Sequence, residues 1–363
     1  VPKGVIGMRR YPVWIAVALL CVGSPQGHAP DARWLPIAHA QEAGGAQPGD
    51  ATGWCERGAA LAKRCEWQQA LECYERALEP DPASTRALCG RGTMLKKLGR
   101  MAEALISFDR ALEIDPRSAE AWDGRGCVVA NQGDLDEAVR CFDRALELDP
   151  RSVRAWVDKA NVFHRQGELE AALACVDRAL GCAPDDTLAV VLKGMTLSGL
   201  EKTDEALVFL DRAIELSRTD TEYWSAAWGA KLAALVNARR FEEAVACADS
   251  ALEALPREPG LWVLKAVAAR ALGRPEESLL CVQKALEIEP RNVGALEMKA
   301  QFLLDLGRQQ DALPVCDEII SLDRARPSGW LLKSSALALM GRWAEAVPVF
   351  LGAIDACERR TPG

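Results

Sequence analysis

Apolar residues recur at three- and four-residue spacing along most of the chain, and Gly and Pro interrupt them at regular intervals. Trp122, Val129, Ala138, Phe142, Ala145 and Leu146 form one such set. This is the period of helices with one buried face, not the alternation of strands. The interruptions repeat every 34 residues from Ala51 onward. Windows opening at 51, 85, 119, 153 and 187, and then at 225, 259, 293 and 327, superimpose as nine copies. Each window predicts two antiparallel helices around a short turn. One pair cannot bury its apolar faces alone, whereas stacked pairs share a continuous core.

The positions that repeat have steric reasons. Window position 4 is Trp in six copies: Trp54, Trp122, Trp156, Trp228, Trp262 and Trp330. Position 8 is small in eight copies, as at Gly58, Gly92, Gly126 and Ala160, which lets two helix backbones approach. Position 15 is Gly in six copies, from Gly99 to Gly341, and suits the turn after the first helix. Positions 20 and 27 are Ala in eight copies each, and position 32 is Pro in six, where it stops the second helix.

Trp, a small residue, Ala, Ala and Pro at these places in a 34-residue unit resemble the tetratricopeptide repeat family. The resemblance covers about 310 of 363 residues. It implies an all-α, right-handed superhelical solenoid of nine antiparallel helix pairs. Residues 1–40 read as a signal-peptide-like leader and 41–50 as a flexible linker. Repeats one to five occupy 51–220, a one-turn insertion 221–224, repeats six to nine 225–360, and a tail 361–363. The insertion lengthens the first helix of repeat six and sets Trp224 beside Trp228, packed on repeat five or exposed as an anchor. Pro314 and Pro348 fall one turn into the second helices of the last two repeats, where Pro weakens or kinks a helix. With only Arg359 to Gly363 beyond repeat nine, Leu331, Leu332 and Leu339 are expected at an uncovered edge, which frays or supports a homodimer.

In the family, the first helices line a concave groove, and window positions 2, 5, 6, 9, 12 and 13 point into it. By that resemblance the early repeats offer polar groove residues: Arg86, Lys97, Asn131, Asp158, Asn161 and Arg165. The later repeats offer apolar ones: Val191, Leu192, Met195, Val263, Leu264, Val267, Met298 and Leu331. The groove would hold a peptide or helix, with its apolar half against the partner's apolar side. A phase error of one position turns such residues inward, and replacing Val263 and Leu264 with Asp separates the two readings. The carboxylate clamp by which some family members hold chaperone tails does not match. No position 5 is Lys, and Leu192 stands at the position 6 that follows Asn161. A repeated Asn ladder is missing as well.

Net charge is −8, and the basic residues of the first forty make the remainder more acidic still. No basic stripe is available for nucleic acid. Met8-Arg9-Arg10, the apolar run from Val13 to Gly23, and Ala38-His39-Ala40 before Gln41 follow the order of a secretory signal. Beyond it no run is long enough to span a membrane. The thirteen Cys oppose an exported location, since many unpaired thiols suit a reducing cytosol. Five of them, Cys73, Cys141, Cys175, Cys247 and Cys281, share window position 23 and read as small buried filler. The order of the leader favours an exported, periplasmic or secreted bacterial-envelope protein, with the cytoplasm as the alternative.

Candidate chemistry is sparse. Of three His, only His164 lies outside the leader, and no Cys/His group has zinc spacing. Gly124-Arg125-Gly126 is repeat position 8 with its neighbours, not a phosphate loop. No cofactor and no catalytic group is assigned. The sequence predicts a non-catalytic scaffold for a protein or peptide partner. The alternatives are a regulatory subunit of a separate enzyme and a self-assembling structural protein.

Overall fold

The computed structural model describes residues 50–358, with the side chains of 221 and 222 left aside; the leader, most of the linker and the tail lie outside them. Among the described residues there are eighteen helices and no strand. The chain divides after Leu200 into two compact units. The first holds α1 (Ala51–Lys63), α2 (Trp67–Leu78), α3 (Thr85–Lys97), α4 (Met101–Ile114), α5 (Ala119–Gln132), α6 (Leu135–Leu148), α7 (Val153–Gln166), α8 (Leu169–Cys182) and α9 (Thr187–Gly199). The second holds α10 (Thr203–Leu216), α11 (Thr221–Asn237), α12 (Phe241–Ala254), α13 (Pro259–Ala271), α14 (Pro275–Ile288), α15 (Val293–Asp305), α16 (Gln309–Leu322), α17 (Pro327–Leu339) and α18 (Trp343–Glu358). Within each unit consecutive helices pack as hairpins, and each hairpin packs on the next, a solenoid arrangement.

Helix starts and stops follow from single residues. Window position 34 is the N-cap of the next first helix. Ser84, Ser118, Ser152, Asp186 and Asn292 each accept a hydrogen bond from the amide three residues on, at 2.8–3.4 Å. Between the two helices of a repeat the chain turns through a left-handed residue at position 15. The six glycines there have φ between 71° and 98°, and Cys65, Glu201 and Arg239 take φ 59–63° at the same place. All nine position 15 residues therefore lie in the left-handed region, and three of them do so with a side chain that disfavours it. α11 is 17 residues long and begins at Thr221, where the insertion predicted a lengthened helix. α16 and α18 run through Pro314 and Pro348 without ending.

Position 20 and position 27 alanines are buried throughout, from Ala70 and Ala77 to Ala346 and Ala353. They let the second helices approach the first closely. In the first three repeats an aromatic ring stands at position 24: Tyr74, Phe108 and Phe142. A Cβ added at Gly92 would lie 2.8 Å from the Phe108 ring, and one at Gly124 only 2.2 Å from it. Tyr74 lies in the same way between Gly58 and Gly90. The ring is thus held between the first helices of its own repeat and the next, and any side chain at Gly124 would displace it. The position 4 tryptophans close the junctions between repeats. The indoles of Trp122, Trp156, Trp262 and Trp330 donate to the carbonyls of Pro116, Pro150, Pro256 and Arg324, at 3.0–3.2 Å.

A second repeating device joins neighbours by charge. Window position 7 is Arg or Lys in all nine copies, from Arg57 to Lys333. It pairs with an acid at position 25 of the preceding repeat. In the first unit these rungs are Arg91–Glu75 (3.7 Å), Arg125–Asp109 (2.9 Å), Lys159–Asp143 (2.5 Å) and Lys193–Asp177 (2.8 Å). In the second they are Lys231–Asp211, Lys265–Asp249 and Lys333–Asp317, at 2.5–2.6 Å. Gln283 stands where the acid opposite Lys299 would be. There Gln283 and Lys299 line a cleft of about 360 Å³ with Arg308, Asp311, Pro314 and Glu318.

The position 23 cysteines are buried, as expected of filler, and none of the twelve described cysteines is in a disulfide. Burial pushes the thiols of Cys247 and Cys281 up to about 11, which keeps them protonated and unreactive.

Candidate functional site

The first helices of the α1–α9 unit carry the polar residues singled out by window position. Arg86 on α3, Lys97 at the end of α3, Asn131 on α5, and Asn161 and Arg165 on α7 are all exposed. Asp158 on α7 is half-buried. Several are held by their surroundings. Asn131 Nδ2 donates to the Cys127 carbonyl at 2.9 Å. The Lys97 ammonium lies 5.6 Å from the centre of the Trp67 ring. Gln166 donates to Asp136 at 2.9 Å, which ties the end of α7 to α6. His164 is half-buried on α7; burial lowers its pKa, against a hydrogen bond to the Met195 backbone.

Window position marks Asp123, Arg154 and Asp158 as groove residues, but that they meet in one cluster was not legible in the sequence. Asp123 on α5 is buried, with 8% of its side chain exposed. Its Oδ2 receives the Arg154 guanidinium at 3.1 Å, and the same guanidinium reaches Asp158 at 3.7 Å. The Cys127 thiol donates to Asp158 Oδ2 at 3.2 Å. Burial, and then the Asp158 charge, hold the Asp123 carboxyl well above the usual carboxylate range. Asp123 and Cys127 are four apart on α5, and Asp158 comes from α7. The signal was therefore one repeat plus one residue away.

The apolar residues behave differently, and the expectation of an apolar groove needs correction. Val191 and Leu192 on α9 are 4% and 6% exposed, and Leu264 on α13 is fully buried. They are core. Val263, Met298 and Leu332 pack against the core cluster around Phe302 and Val315. Met195 and Val267 are half-buried, and only Leu331, at 43%, is exposed.

The reason lies in the layer contact just described. Opposite the position 24 rings of Tyr74 and Phe108, position 6 of the next repeat is glycine (Gly90, Gly124), whereas Phe142 is followed by Asp158. Where position 24 is smaller, position 6 grows to fill the space. Val176 is followed by Leu192, Ala248 by Leu264, Val282 by Met298 and Cys316 by Leu332. The same window position thus turns from a groove position into a core one. An Asp at Leu264 would place an unpaired charge in the interior.

The matches to known proteins agree with this architecture. A tetratricopeptide repeat model matches residues 41–119, 124–187, 232–292 and 270–329, and a second one matches 189–220. This chain belongs to the tetratricopeptide repeat family. No curated protein matches it. Among solved structures, a tetratricopeptide repeat protein from Parabacteroides merdae shares 16% identity at a TM-score of 0.54, over 70% of this chain and 98% of that one. A chain of the APC/C hetero-tetramer Cut9-Hcn1 shares 18% identity at a TM-score of 0.56, over 78% of this chain and 55% of that one. At these identities the likeness is one of fold. Tetratricopeptide repeats are protein–protein interaction scaffolds and generally non-catalytic, which gives the coarse function of the chain. Among the described residues no helix is long and apolar enough to cross a membrane.

Proposed function

We propose that this tetratricopeptide repeat protein is a non-catalytic adaptor that holds a polypeptide segment against the first helices of the α1–α9 unit. The observation that carries the reading is the exposed polar set Arg86, Lys97, Asn131, Asn161 and Arg165 on α3, α5 and α7. These side chains are free of core duties, and two are Asn, able to donate to and accept from a partner's backbone. Arg and Lys among them favour a segment with acidic side chains or a free carboxylate. The test compares proteins retained by the wild-type chain with those retained by Asn131→Ala/Asn161→Ala/Arg165→Glu. Loss of the same partner, with helix content unchanged by circular dichroism, supports the reading. Retention of every partner overturns it.

A specific surface favours a second reading, self-association. On α18, Trp343, Val347, Phe350, Leu351 and Ile354 are between 43% and 64% exposed, and Leu339 of α17 is 63% exposed. Spacings of four, three and four residues align most of them as one stripe on one helix face. Light scattering reads this directly: mass rising with concentration in the wild type, and a monomer in Val347→Asp/Ile354→Asp. A wild-type mass independent of concentration removes the reading.

The export reading rests on the leader, which lies outside the described residues. N-terminal sequencing of the native protein tests it; a start at Gln41 agrees, and retention of residues 8–40 does not.

A further inference from the structure

The α5–α7 cluster sets two carboxylates against one guanidinium in direct contact with them. Asp123 is buried, and its Oδ1 reaches no hydrogen-bond partner. Asp158 shares the spot, and among the described residues Arg154 is the cation within contact of both carboxylates. Lys96 and Glu120, the next charges felt by Asp123, oppose each other in sign. Two carboxylates against one guanidinium leave a deficit of one positive charge in a poorly solvated place, and there a proton or a cation is favoured. Cys127 completes the arrangement. One ligand atom each from Asp123, Cys127 and Asp158 lie within 4.8 Å of one another. Tetrahedral zinc sets its ligands about 3.3–3.8 Å apart, given bonds of about 2.0–2.3 Å. A bound ion would draw the Asp158 and Cys127 side chains together to close that difference.

We propose that Asp123, Cys127 and Asp158 bind one divalent transition-metal ion of the zinc class. The donor set points to the metal. A thiolate beside two carboxylates suits zinc or cobalt, not the all-oxygen shells of calcium and magnesium. The charges close as well. Binding releases the Cys127 proton, so three negative ligands face one divalent ion and one guanidinium, and the cluster becomes neutral. The otherwise orphaned Asp123 Oδ1 gains a partner. Arg154, with 55% of its side chain exposed, has room to swing outward while keeping its charge nearby. Three protein ligands leave a fourth position for water or for a side chain of the bound segment.

The test is titration of the full-length, metal-stripped protein with Zn²⁺ by calorimetry and with Co²⁺ by absorption, in reducing buffer. One equivalent is expected, with a near-ultraviolet thiolate-to-cobalt band. Asp123→Asn should weaken binding by more than about 100-fold, since losing even an outer partner of a metal ligand costs 10–100-fold. Cys127→Ser should remove the band. Arg154→Gln should leave one equivalent bound. Cys65→Ser and Cys357→Ser, at the two exposed thiols among the described residues, should change neither stoichiometry nor band. The absence of a bound equivalent, or equal binding by wild type and Asp123→Asn, overturns the proposal. If Asp123→Asn fails to fold, Cys127→Ala decides alone: an unchanged band overturns the site, and its loss supports it.

Discussion

The first two junctions of α1–α9 and the junctions of α12–α17 solve one packing problem in opposite ways. In α1–α9, the first two layers are closed by rings of Tyr74 and Phe108 reaching from a second helix onto glycines of the next first helix. In α10–α18, the second helices carry Ala248, Val282 and Cys316, and the first helices reach back with Leu264, Met298 and Leu332. The volume between repeats is alike; the helix that supplies it changes. A window position therefore has no fixed duty. What position 6 does depends on the size of position 24 some sixteen residues earlier in the chain.

The largest effect expected from breaking this arrangement is in the first unit. Phe108→Ala should cost about 3–5 kcal/mol in chemical denaturation, because it empties a fully buried ring site. Gly124→Leu alone should cost about 1–3 kcal/mol or more by overpacking against that ring. Phe108→Ala/Gly124→Leu rebuilds the second unit's solution in the first and should cost less than Phe108→Ala alone. A double mutant no more stable than the sum of its parts would break the comparison. In the second unit Leu264→Ala should cost about 2–5 kcal/mol, and Leu331→Ala well under 1 kcal/mol, since only Leu264 is interior. Equal costs would return Leu264 to the surface.

Smaller effects come from the turns. Arg239→Gly and Glu201→Gly should each stabilise by about 1 kcal/mol, because each now places a side chain at positive φ. Gly133→Ala should destabilise by a similar amount, and thermal melts read both signs. The smallest is the broken rung. Gln283→Asp gives Lys299 its acid and should add about 0.2–1 kcal/mol, fading at high salt. A gain that survives molar salt would mean that packing, not charge, produced it.

Much of the fold was legible because its determinants are local and repeated. The turn at position 15, the small residue at position 8 and the alanines at 20 and 27 act within one hairpin, and they recur often enough to fix the register. The ladder was equally legible in principle, since a basic residue at position 7 and an acid at position 25 recur almost throughout. The site was legible only in part. Asn131, Asn161 and Arg165 are exposed on α5 and α7. Leu192 and Leu264 are not, because their burial is decided by volume on another helix. Asp123 meets Asp158 across a repeat junction, a contact that window positions alone do not reveal.

The buried cysteines, at position 23 and elsewhere, also form a set of internal clocks. Cys55, Cys89, Cys141, Cys175, Cys247, Cys281 and Cys316 place a sheltered thiol in each of seven repeats. A thiol reagent can label each one only when its own hairpin opens, so the order of labelling along the chain records which repeats breathe and which stay shut. A bound segment would be seen as a stretch of clocks slowed together.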